Sequence, residues 1–231
     1  MTTRTLPGAA PLAGAAPGGR SARLIHSYSA DLDRAGRVRF IREITDRTLS
    51  QTHYDRYLLI EREFVRTALR ITGLCLWSET DSLRALHHAR SIAALAGEQL
   101  DYFDRALGDR EIPGAAAVLA RSAVLSEYAL AAAERHGYPG VLTCMLAAET
   151  LYAGWCGRTV AGWEEGVSGP QAEWVRMHAT PAFATQARLL GVMLDAQEIS
   201  ADGALGEVFR GMLAAEDSFH DSIYSSIKDT E

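Results

Sequence analysis

Apolar residues recur every three or four positions along nearly the whole chain from Asp31 onward. That spacing matches the 3.6-residue period of a helix with one buried face. It predicts helices near residues 31–49, 53–77, 80–107, 114–136, 139–160, 171–198 and 203–228. The interruptions carry residues that end helices: Ile112-Pro113-Gly114, Gly137-Tyr138-Pro139, Val167-Ser168-Gly169-Pro170 and Ser200-Ala201-Asp202-Gly203. No alternating β-branched run is long enough for a strand. The expected fold is an all-α bundle of about seven long antiparallel helices.

Three positions break the pattern in the same way. On the predicted helix 139–160, Leu142, Met145 and Leu146 lead to Glu149, then Tyr152, Ala153 and Cys156. On the last helix, Phe209, Met212 and Leu213 lead to Glu216, then Phe219, His220 and Ile223. On the second, Tyr54, Tyr57 and Leu58 lead to Glu61, then Phe64, Val65 and Ala68. Each glutamate therefore points where its apolar face points. Burying one unpaired carboxylate costs several kcal/mol. Any one of the three can be a structural glutamate paired with one of the many arginines. Three together favour a polar pocket between helices, the usual place for a ligand in a bundle.

The donor set does not suggest a metal. Di-iron bundles place a histidine three residues after a ligating glutamate. Here those positions hold Phe64, Tyr152 and Phe219, and only His220, four after Glu216, stands near a glutamate. No metal or other cofactor is expected. The adjacent His87-His88 project in two directions and read as surface. Cys144 lies off the Glu149 face, Cys156 reads as a buried structural thiol, and no Gly-x-Ser-x-Gly occurs.

Composition narrows the class. The 231 residues carry 23 basic and 29 acidic side chains, a net charge of −6, which argues against a nucleic-acid partner. The longest uncharged apolar stretch, 139–148, is about half the span a bilayer needs, so no membrane is expected. Lys228 is the only lysine, which argues against Schiff-base, PLP and Walker-type chemistry. Three cysteines without a CxxC pair fit a reduced, cytoplasmic protein. Residues 1–22 hold three of the seven prolines and no acid, the composition of a disordered tail, and 23–231 read as a single helical domain.

These residues resemble the TenA/thiaminase II family, whose fold is the heme-oxygenase-like helical bundle. The segment Tyr57-Leu58-Leu59-Ile60-Glu61-Arg62-Glu63-Phe64 is similar to a family segment in which Glu61 falls on a substrate-binding aspartate. Gly137-Tyr138-Pro139 through Glu149-Thr150-Leu151-Tyr152 resembles the catalytic helix, with Glu149 in place of the usual cysteine, as in one branch of the family. Trp174, His178 and Phe183 keep the spacing of a pocket segment, with His178 at a tyrosine position. Ala215-Glu216-Asp217-Ser218-Phe219 resembles the segment that carries the acid–base glutamate. The resemblance spans about residues 35–228. There are departures. A tyrosine of the fourth helix falls near Ser126, with Tyr128 close by; another becomes Ala153; the glutamine before the aspartate is Ile60.

The resemblance implies hydrolysis at an aminopyrimidine or related small nitrogen heterocycle, without a cofactor. Glu149 and Glu216 would be catalytic, the first as base on water and the second as acid to the leaving nitrogen. Glu61, Tyr57, Phe64, Ser126, Tyr152, His178, Phe219 and His220 would contact the substrate. A homodimer or homotetramer is implied, and the alanine-rich stretch 114–136 offers a flat face for it. Two other readings remain open. One is an enzyme of specialised metabolism on the same fold, including a metal-dependent oxidase. The other is a non-catalytic ligand-binding or regulatory protein.

Overall fold

The computed structural model describes residues 18–198 and 202–225, and every regular element among them is helical. In chain order these are α1 (Arg20–Ser27), α2 (Ser29–Ala35), α3 (Arg39–Thr45), α4 (Gln51–Ser78), α5 (Ser82–Ala94), α6 (Leu100–Leu107), α7 (Ala115–Gly162), α8 (Pro170–His178), α9 (Pro181–Asp195) and α10 (Asp202–Ser222). A five-residue π-turn, Leu95–Gln99, joins α5 to α6.

The long helix α7 organises the bundle by packing against α4, α9 and α10. Its second half carries buried residues on most sides, among them Leu142, Cys144, Leu146, Leu151, Trp155 and Cys156. A helix apolar nearly all round belongs in the middle of a fold. The two halves meet at Gly137, whose φ of 57° and ψ of −144° are open to glycine and strained for other residues. Pro139 follows without an amide donor. At Gly140 a Cβ would stand 2.6 Å from the Ala132 carbonyl oxygen, so the bend closes tightly. The predicted helices 114–136 and 139–160 are thus two helical segments of α7 that meet at a kink, where the Gly137-Tyr138-Pro139 punctuation places it. Taken whole, α7 is long and apolar enough to cross a membrane by length and composition. The kink divides it, and Arg121 and Glu127 stand in its first half.

Other boundaries differ from the periodicity for local reasons. The stretch 31–49 divides between α2 and α3, where Gly36 ends the first and extended Val38 starts the second. The stretch 171–198 divides at Thr180, which is extended ahead of Pro181 and caps the Phe183 amide at 3.2 Å. The tail boundary at residue 22 falls inside α1. Residues 1–17 lie outside the described residues, but Ser21 donates from its amide and hydroxyl to Asp195 at 2.7 and 2.9 Å. Arg20 donates to the carbonyls of Leu194 and Gln197, both at 3.1 Å. These contacts join positions far apart in the chain, so local composition could not show them.

A buried polar chain ties α5 to the end of α4 and to the middle of α7. Glu79 takes a two-pronged contact from Arg84, at 2.8 and 3.1 Å, and the Asp81 amide at 2.8 Å. Tyr138 donates its hydroxyl to Glu79 at 2.8 Å. That hydroxyl has one proton, so the 2.8 Å contact with His88 Nε2 is a donation from the imidazole. His88 is 2% exposed, a core residue rather than the surface one its sequence suggests. The guanidinium and other donors hold the Glu79 carboxyl down at about 2 against its burial.

Candidate functional site

Glu61 on α4, Glu149 on α7 and Glu216 on α10 line one cavity of about 90 Å³. By water-sized steps this is room for roughly six to nine non-hydrogen atoms, the size of one small substituted ring. Phe64, Tyr152, His178 and Phe183 share its wall. Three helices that cross in the core bring the three in-phase glutamates together.

Tyr152 stands at the centre of the polar side. Its hydroxyl donates to Glu61 Oε1 at 2.8 Å, so His220 Nε2 at 3.1 Å donates to it in turn. Tyr57 OH lies 3.3 Å from the same oxygen. His220 is thereby a neutral imidazole with its proton on Nε2, and Nδ1 has no partner. Burial, the largest influence, pushes its pKa down to about 3. Its ring is stacked on Phe40 at 4.9 Å. His178 is fixed in the other tautomer. Its Nδ1 donates to the Trp174 carbonyl at 2.9 Å, leaving Nε2 as a bare acceptor. Trp174 lies against the ring at 4.1 Å and Phe183 meets it edge-on at 4.9 Å.

The three carboxyls are not equivalent. Burial raises Glu61, while the hydroxyls of Tyr57 and Tyr152 favour its charged form. Burial, then the charge of Glu61, pushes Glu149 up to about 8. Burial, then Glu61, Asp217 and Glu149, holds Glu216 well above the usual carboxylate range. No cation figures among the influences on any of the three. All three are raised by burial, Glu61 against the pull of two hydroxyls and Glu149 and Glu216 with added charge against them. Glu149 Oε2 and Glu216 Oε2 are buried without a hydrogen-bond partner. Unpaired buried polar atoms are costly, and two converging on one cavity mark where a ligand's polar groups belong.

The residues expected from sequence separate into three groups. Glu61, Glu149, Glu216, Phe64, Tyr152 and His178 line the cavity. Tyr57 and His220 stand behind Tyr152 and reach the cavity through its hydroxyl, and Phe219 packs edge-on against Phe64 at 6.1 Å. Ser126 is not part of the lining. Its hydroxyl accepts from Thr67 at 3.0 Å in the α4–α7 contact. Tyr128 does not replace it, since its hydroxyl caps the carbonyls of Glu207 and Val208 on α10. Cys144, pushed up to about 12 by burial, and Cys156, also raised by burial, are poor nucleophiles. Among the described residues no group of three or more His, Cys, Asp or Glu is arranged to hold a metal ion.

Sequence reasoning missed Leu95 and Gln99, which enter the wall from the π-turn. Such turns often mark functional positions, but nothing in the local pattern announces this one. It also missed a second chamber of about 370 Å³ beneath α5 and α9. Leu95, Gln99, Met145, Glu149 and Phe183 belong to the walls of both chambers.

No protein-family model matches the sequence, and no curated protein matches it. Solved structures do. A TenA homologue from Pyrococcus furiosus is 21% identical, with a TM-score of 0.73 over 89% of this chain and 100% of that one. A TenA homologue from P. horikoshii OT3 is 14% identical, with a TM-score of 0.77 over 89% and 98%. A protein from Silicibacter sp. TM1040, described as a TenA family transcription regulator, is 13% identical, with a TM-score of 0.75 over 90% and 97%. The class is therefore an all-α protein of heme-oxygenase-like fold. Within that class, the chain has the fold of the TenA homologues across nearly its whole described length.

Proposed function

We propose that this chain is a TenA-like hydrolase that cleaves a C–N bond of an aminopyrimidine or related small nitrogen heterocycle through carboxylate acid–base chemistry. The observation that supports it most is the meeting of Glu61, Glu149 and Glu216 on one ring-sized cavity, two of them with an unpartnered oxygen. Glu149 and Glu216 differ in the way such chemistry requires. Glu216, the more strongly raised, keeps a proton to give to the leaving nitrogen. Glu149, pushed up to about 8, ionises close to neutral pH and takes a proton from the attacking water. Oxygen of that water bonds to the carbon as the C–N pair leaves with the proton from Glu216. Glu61 accepts from an exocyclic amino group, and the bare Nε2 of His178 accepts a second donor. Aromatic walls sandwich the ring.

The test is turnover of neutral 4-aminopyrimidines carrying a cleavable nitrogen substituent, followed by chromatography. Release of the amine and of the hydroxylated pyrimidine fragment by the wild type, lost in Glu149→Gln, is the expected result. The description of the Silicibacter neighbour supports a second reading, a ligand-responsive regulator. Tight binding of the pyrimidine without any release selects that reading and ends the first.

A further inference from the structure

The two chambers that share Glu149 have opposite chemical character. The inner one presents three carboxyls. The outer one presents His87, His88, Arg90, Ser91, Gln99 and Gln186, and its only acid is Glu149 on the shared wall. Arg90 is exposed and forms no ion pair among the described residues, although the chain carries an excess of acids. His87 Nε2 is buried and has no hydrogen-bond partner. Ser91 Oγ accepts from Gln186 at 3.2 Å, which leaves the serine proton to give. Arg90, His87 and Ser91 thus bring one guanidinium, one unpartnered ring nitrogen and one hydroxyl to an open space of about 370 Å³, four times the inner volume.

We propose that the outer chamber is an anion subsite. Arg90 and His87, with Ser91 beside them, take a carboxylate or phosphate carried by the same small molecule whose ring enters the inner chamber. That the two groups belong to one molecule rests on the function proposed above; the anion subsite itself does not. The shared wall gives the geometry, because a ligand spanning both chambers crosses at Glu149. The substrate class becomes a nitrogen heterocycle with an acidic arm, and the bond at Glu149 lies between ring and arm. Donors for the acid are in place in both oxidation-neutral sources of such an arm, a carboxylic acid and a phosphate monoester. A guanidinium contact to either is a charge-assisted hydrogen bond, stronger than a neutral one. Burial, and next the charge of Arg90, lowers the pKa of His87, and an anion bound beside both raises it again.

Calorimetric titration of the full chain with succinate and, separately, with inorganic phosphate tests the subsite without any heterocycle. At least one anion binds the wild type, and the stronger of the two identifies the source. Arg90→Gln weakens that binding about tenfold or more, Arg90→Lys restores part of it, and His87→Gln weakens it independently. The His87 ring resonances move on titration in the wild type and not in Arg90→Gln. Absence of binding by both anions up to about 50 mM, near the weak limit of single-contact affinity, overturns the proposal. So does binding that is indifferent to Arg90. Because these probes contain no ring, their result stands apart from the turnover test. Anion binding with no turnover of aminopyrimidines, neutral or carrying a carboxylate or phosphate arm, retains the subsite and ends the hydrolase reading, and turnover without anion binding retains the hydrolase and ends the subsite.

Discussion

Two tyrosines about four turns apart on α7 each join a glutamate to the Nε2 of a buried histidine. Tyr138 links Glu79 to His88, and Tyr152 links Glu61 to His220. The hydrogen bonds and tautomers are the same; the surrounding charge is not. Glu79 has Arg84 against it, every donor is answered, and its carboxyl is held down at about 2. Glu61 has no cation, and two further carboxyls face the same space with unpaired oxygens. The first set closes on itself and serves the fold. The second leaves two buried carboxyl oxygens unanswered by the protein. A Glu–Tyr–His constellation therefore says little about role until its countercharge is known.

The largest expected effect separates these roles directly. Glu149→Gln should lower turnover by about 100-fold or more while keeping or raising the melting temperature, since it removes a buried ionisable group without changing shape. Glu216→Gln should do the same. Glu79→Gln should behave in the opposite way, costing about 2 kcal/mol of stability because Arg84 and Tyr138 lose a charged partner. Specific activity and chemical denaturation on all three variants check this, and a Glu149→Gln protein with full turnover breaks the comparison.

Next come the tyrosines. Tyr152→Phe should reduce turnover about tenfold by releasing Glu61 and His220 from their bridge. Tyr138→Phe should leave kcat alone and cost about 1–2 kcal/mol of stability. Equal effects of the two on activity would erase the distinction.

The smallest effect is a pair of opposite pH slopes. Glu149 binds its proton more tightly folded than unfolded, with a folded pKa of about 8 against an ordinary 4.5. Its contribution to stability is present below about 4.5 and is lost as pH rises through about 8. Glu79, at about 2, contributes above the ordinary carboxylate range and loses that contribution as pH falls through about 2. Urea midpoints measured from acid to mildly alkaline pH should show Glu149→Gln flattening the alkaline fall and Glu79→Gln flattening the acid one.

Much of this arrangement could be read from spacing. The period of three and four gave the helices, because burial of one helical face is a local property of the chain. The same period exposed Glu61, Glu149 and Glu216, since a charge at a core phase is visible without knowing its neighbour. Their partners were harder. His88 looked like surface because the residue that satisfies it, Tyr138, lies on another helix. Ser126 looked like a pocket residue because the resemblance set it near a family tyrosine, while its hydroxyl is taken by Thr67. The packing of Ser21 on Asp195 and the wall residues of the π-turn depend on tertiary contact or on a single extra residue per turn, neither of which leaves a periodic trace.

The π-turn at Leu95–Gln99 has a consequence for how this protein can change. All three acids stand on α4, α7 and α10, long rods locked together in the core. The facing wall is built from shorter pieces, α5 with its π-turn and the start of α9. Under selection for a new ligand, substitutions and single-residue insertions should collect at 87–99 and 183–190, where they reshape what fits without moving a glutamate. Removing one residue from the turn would rotate α6 by about 100° relative to α5, a large step in recognition from one codon. On the proposed reading, the acids would stay fixed while the wall that selects the molecule varies.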